Sequence, residues 1–230
     1  MAMTGNEKFT IRHETLIVCE GEDAYHFLIP YLNAKERLEE DARFGTSVDV
    51  ISFGGNDELE KSLATVRLTP GFSNVKNMMI LRDAEKSAEK ASNDVRRALQ
   101  KTGFSVPDAC GKWTTDSDIH VAFMLFPTLS AEPEEGTLEH LCMKLLKPEY
   151  QPAIVLDSIS DTMQALEEKE IRTFSHDFKS KLHGFFSLTD GFVGLKIGEA
   201  AKAGAFDWGS SELVGLNQCL RNRFVLLDER

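Results

Sequence analysis

The chain has 230 residues, 42% hydrophobic and 27% charged, which suits a soluble protein with one substantial core: one domain with an extension. No apolar run reaches the roughly 18 residues of a membrane span. The net charge of −11 repels nucleic acid at long range unless basic groups are segregated on one face, and no basic-patch signature of a DNA-binding module is visible.

Residues 1–10 are polar and lack the apolar core of a signal peptide, so the expected location is cytoplasmic. In residues 14–21 (ETLIVCEG) an apolar run ends in an acid and a glycine, which predicts a buried strand and a tight turn. Asp23 can then cap a helix with Phe27, Leu28, Tyr31 and Leu32 on one face, which Pro30 should kink or shorten. A second strand is predicted at 48–53, closed by Gly54-Gly55, with Asn56 or Asp57 starting a helix that carries Leu59, Leu63 and Val66. Pro70-Gly71 is a loop. The third strand, 77–82, runs into Asp83, and Ser87 caps a helix with Ala91, Val95 and Leu99 that Gly103 stops. The fourth strand, 119–126, ends at Pro127.

A loop at 131–136 leads to a helix with Leu138, Leu141, Cys142 and Leu145 that ends before Pro148. Three further helical stripes follow: Val155, Ile159, Met163 and Leu166; Phe178, Leu182, Phe185 and Phe186; and Leu213, Leu216, Leu220 and Phe224. The strand–helix alternation predicts an α/β fold: a mainly parallel sheet with flanking helices over residues 10–150, plus a helical extension over 151–230 packed on it. Ligands of such sheets bind beyond the carboxyl ends of the strands, where Glu20 and Asp83 fall.

Asp83 and Glu85 stand two residues apart at a strand end, where alternate side chains of extended backbone point the same way. With Glu20 from another strand end they form a hard oxygen donor set for magnesium or manganese, and Glu20 is a candidate general base. A single acid after a strand would read as a helix cap or a solvated turn residue; the pair plus Glu20 reads as a metal site.

These residues resemble a known family. Ile17-Val18-Cys19-Glu20-Gly21-Glu22-Asp23, followed by a strand ending Asp83-Ala84-Glu85, is similar to the Toprim domain of bacterial primases, topoisomerases, recombination mediators and overcoming-lysogenization-defect (OLD) nucleases. The likeness extends to stand-alone bacterial Toprim-like proteins and covers most of the chain, including the tail with Gly204, Phe206, Asp207 and Trp208. Glu85 stands where the family more often has a second aspartate. The resemblance implies a Toprim-like fold and a metal set of Glu20, Asp83, Glu85 and, from the Leu138-Glu139 step, Glu139. It also implies a lysine-bearing helix, with Lys179 or Lys181 as a phosphate contact and Lys181 as a catalytic residue beside Glu20. Ala24 occupies a position where relatives carry another acid. Asp23 is its candidate substitute, and a second metal position depends on it.

The six histidines lack the HExxH spacing, although His140 beside Glu139 can line the site. Gly54-Gly55 belongs to no GxGxxG or Walker pattern, and Ser130 and Ser160 to no GxSxG elbow. The four cysteines form no CxxC clip; Cys19 and Cys142 read as core. Trp113 and Trp208 can stack on bases but read first as core or rim aromatics. Three functions follow: a metal-dependent phosphodiester hydrolase acting on nucleic acid, a non-catalytic binding module retaining an acidic site, or an interaction protein whose acids merely cap helices. A partner ATPase or a homo-oligomer is compatible with the first two.

Overall fold

The computed structural model describes residues 9–38, 47–55, 58–115 and 117–224, without the side chains of residues 35–38 and 224. The strands are β1 (Thr15–Glu20), β2 (Val48–Phe53), β3 (Asn77–Asp83) and β4 (His120–Phe126). They pair in parallel in the order β2-β1-β3-β4, so the expected parallel α/β architecture is present. All four predicted strands are found within a residue of their expected bounds. β1 and β3 are central, and their apolar runs are buried throughout because helices cover both faces.

The helices are α1 (Gly21–Leu38), α2 (Leu59–Val66), α3 (Ala88–Lys101), α4 (Leu138–Leu145), α5 (Pro152–Glu168), α6 (Asp177–Leu188), α7 (Ile197–Lys202) and α8 (Val214–Phe224). Right-handed crossovers in this strand order carry α1 over one face and α2 and α3 over the other. The packing agrees: α2 meets α3, whereas α1 meets α7, and α4 meets α6. The connection after β1 leads outward to β2, and the one after β3 leads the opposite way to β4. A crevice therefore opens between the carboxyl ends of β1 and β3, the position where sheets of this kind bind ligands.

Two expectations about α1 need correction. α1 begins at Gly21, directly after Glu20, rather than at a cap on Asp23, because Gly21 at φ 77° makes the whole turn. Nor does Pro30 shorten the helix, which runs on to Leu38. Pro30 is buried among Phe27, Leu28, Tyr31 and Leu32, whose packing holds the helical path despite the missing N–H. The carbonyl left without that donor, His26, faces Gly198 at the start of α7. There is no room for a side chain: a Cβ on Gly198 would come within 2.3 Å of the His26 Cβ. Ser87 caps α3 as expected, its Oγ accepting from the Lys90 N–H at 3.2 Å. The caps suggested at Asn56 and Asp57 and the side chain of Phe224 lie outside the described residues.

The stripes predicted for the C-terminal half form α5, α6 and α8, and their buried residues share one apolar cluster with the sheet. Phe27, Phe206 and Trp208 make a ring-to-ring contact where α1 meets the segment after α7. Trp208 is thus engaged in packing, and Trp113 is partly buried with its Nε1–H donating to the Cys219 carbonyl at 2.8 Å. All four cysteines are buried free thiols. No helix among the described residues is long and apolar enough to cross a membrane.

Candidate functional site

Glu20 closes β1 and Asp83 closes β3, side by side across the central strand pair. Position 20 stands opposite position 82 in the parallel register, since Cys19 pairs with Leu81. Glu20 consequently meets Arg82, whose Nε lies 3.4 Å from Glu20 Oε2; side-chain exposures are only 3% for Arg82 and 10% for Glu20. The same oxygen accepts from the Asp83 N–H at 3.4 Å. A charged residue placed within a buried strand needs such a partner, and each holds the other in place.

Asp83 projects to the opposite face, toward α4. Its Oδ1 accepts from the N–H of Leu138, the first residue of α4, at 2.9 Å. Asp83 thereby satisfies a free N–H of a helix 55 residues later and docks that helix against the strand end. The next residue on α4 is Glu139, 14% exposed. Glu85 lies just past the strand, exposed and with φ 55°. Paired backbone hydrogen bonds with Gly136 (2.8 and 2.7 Å) hold that left-handed conformation, which is unfavourable for a residue with a Cβ.

The electrostatics follow this placement. The carboxyl of Asp83 is pushed well above its ordinary value of 3.8, by burial first and then by the charges of Glu20, Glu139 and Glu85, against the lowering effect of the Leu138 N–H. Glu20 is raised too, by burial foremost, although Arg82 pulls it down. The Cys142 thiol, fully buried behind the site, is raised by burial and by Glu139, Asp23 and Asp83. Acids from two strands and two helices therefore act on one small region.

Of the two lysines weighed on α6, Lys179 is the one beside the acids: its Nζ is 3.4 Å from Asp23 and 3.9 Å from Glu139. Lys181 pairs within its own helix with Asp177 at 4.0 Å and sits 5.5 Å from the centre of the Phe178 ring. Asp23 is thus tied to the site through Lys179, while Ala24 is buried. His140 accepts from the Thr137 N–H through Nδ1 at 3.1 Å and stacks on Phe178, and burial lowers its pKa.

The sequence reading did not assign Arg82 as the partner of Glu20. The available signal was an arginine inside an apolar run, one position before the acid, and no spacing rule names its partner on another strand.

Among the described residues, no group of three or more His, Cys, Asp or Glu side chains is arranged to hold a metal ion as it stands. The donor chemistry suits a hard divalent cation, since the acids supply carboxylate oxygens. Their present engagements are with the chain itself: Glu20 with Arg82, Asp83 with the Leu138 N–H, and Glu139 with Lys179. On the α2–α3 face a cleft of about 620 Å³ adjoins this cluster, sharing Arg82 and Glu85 with it.

No curated protein and no solved structure matches the chain. Residues 14–225, which include both strand-end motifs and the helices α1 to α8 of the described residues, match the family described as protein of unknown function (DUF3226), and the chain belongs to that family.

Proposed function

We propose that the protein is a Toprim-like, magnesium- or manganese-dependent phosphodiester hydrolase acting on nucleic acid. The observation that carries this reading is the placement of Glu20 and Asp83 at the β1–β3 crevice, with Glu85 and Glu139 acting on the same buried carboxyl. Asp83, Glu85, Glu139 and Glu20 would hold the ion, which supplies positive charge and lowers the pKa of a bound water. Glu20 accepts the proton of the attacking water; its raised pKa brings it nearer the range of an effective general base at neutral pH. The water oxygen bonds to phosphorus, one phosphorus–oxygen ester bond breaks, and the leaving oxygen takes a proton from solvent. Lys179 and Arg82 flank the acids and neutralise the phosphate oxygens, the role the resemblance assigned to Lys179 or Lys181.

A second reading has its own support. Arg82 and Lys179 already neutralise Glu20 and Glu139, which suits a binding module that contacts a phosphate or a partner without turnover.

The test is hydrolysis of bis(p-nitrophenyl) phosphate and of labelled DNA and RNA with magnesium or manganese, with and without EDTA. The hydrolase reading expects metal-dependent release that Asp83→Asn lowers by at least about a hundredfold, the scale of losing a group aimed at developing charge. Isothermal titration of both proteins with manganese accompanies it. Equal binding by wild type and Asp83→Asn, together with no cleavage in any divalent cation, would leave the binding-module reading in place.

A further inference from the structure

The cleft beside the acids has a charge pattern opposite to that of the molecule. Five basic and three acidic side chains line it, whereas the whole chain carries −11. Lys86 and Lys90 are exposed at its mouth, and neither forms an ion pair among the described residues. Arg97 and Lys101, further along α3, are held by surface pairs with Asp94 at 3.4 Å and Glu60 at 2.9 Å. Such exposed pairs contribute about 0–1 kcal/mol and exchange readily for a phosphate.

Lys90 and Lys101 are separated by roughly 16 Å along the helix at 1.5 Å per residue. That distance matches on the order of five nucleotides of a stacked strand at 3.4 Å each. The apolar lining is one leucine and three alanines, with no aromatic ring to stack on a base, so the surface reads phosphates and not sequence. The volume of about 620 Å³ falls among those of small-ligand pockets, which suits a few nucleotides of one strand and not a duplex. At the inner end Arg82 and Glu85 belong to both cleft and acid cluster, so a strand lying in the cleft reaches the rim of that cluster at the end of β3.

We propose that the α2–α3 cleft binds the phosphodiester backbone of a single-stranded nucleic acid through Lys86 and Lys90, without base preference, and delivers it to the acid cluster. This rests on the hydrolase reading for the fate of the strand, though not for its binding.

The experiment is fluorescence anisotropy of a short labelled oligothymidylate, and of an abasic strand of equal length, titrated with the whole protein in EDTA at several salt concentrations. Wild type should bind both strands alike. The paired substitution Lys86→Ala with Lys90→Ala should raise Kd up to roughly tenfold, as expected for two exposed charge contacts. The slope of log K against log salt should fall in magnitude by about 0.7 for each lysine removed. Circular dichroism guards against misfolding, and Lys90→Glu alone should weaken binding in the same direction. Flat anisotropy for wild type, or unchanged binding by the paired variant, overturns the cleft while leaving the hydrolysis test untouched. Binding lost in the paired variant of a protein that cuts nothing sustains the cleft and removes the hydrolase.

Discussion

At the residue scale the buried carboxyls decide the behaviour. Asp83 and Glu20 have raised pKa values in the folded chain, so the folded state holds their protons more tightly than the unfolded state does. Their contribution to stability is fully present below the ordinary carboxylate range and is lost as pH rises through the raised values. Metal-free protein should therefore lose stability as pH climbs from about 4 toward neutral. Asp83→Asn keeps an oxygen for the Leu138 N–H but carries no charge, so it should flatten that slope and raise the melting temperature at pH 7. Thermal denaturation between pH 4 and 8 checks this, and a variant less stable at neutral pH would contradict it. Arg82→Met strands Glu20 as a buried charge and should destabilise by about 3 kcal/mol at pH 7. Adding Glu20→Gln should recover most of that loss in chemical denaturation. The acids were legible in the sequence because each ends an apolar run. The Arg82–Glu20 pair was not, since it depends on the register between β1 and β3, and neither was the choice of Lys179 over Lys181, which depends on how α6 is rotated against α4.

At the scale of elements, the strand-to-helix junctions set the geometry. Glu85 holds φ 55° because Gly136 pairs with it, a conformation costing about 1 kcal/mol or more for a residue with a Cβ. Glu85→Gly should relieve that strain and leave stability equal or higher, whereas Glu85→Ala keeps it; both remove the carboxylate. Calorimetric melting and manganese titration of the two variants separate backbone strain from ion binding. The strands were legible as apolar runs bounded by turn residues. The course of α1 through Pro30 was not, because local rules give a proline's cost and tertiary packing outweighs it here. The six residues of α7 escaped notice too: Ile197–Lys202 is too short for a helical repeat to show.

At the scale of the molecule, α7 joins the C-terminal half to the α/β unit by lying directly on α1 at Gly198. Gly198→Ala should push the two helices apart and destabilise by about 1–3 kcal/mol, measured by urea denaturation. Alanine tolerated without loss would show that the contact gives way. The parallel sheet was legible from strand–helix alternation, but its order was not, since alternation is the same for several orders. That order carries a kinetic consequence. Among the described residues no strand pairs with a sequence neighbour through a hairpin: β1 joins β3 from Thr15 to Asn77, and Asp83 accepts from Leu138. Such distant pairings form slowly. On the ribosome, a chain released as far as β3 exposes both strand-end acids but lacks the helix that organises them. The site is therefore assembled late, after most of the sheet has been made and α4 has emerged.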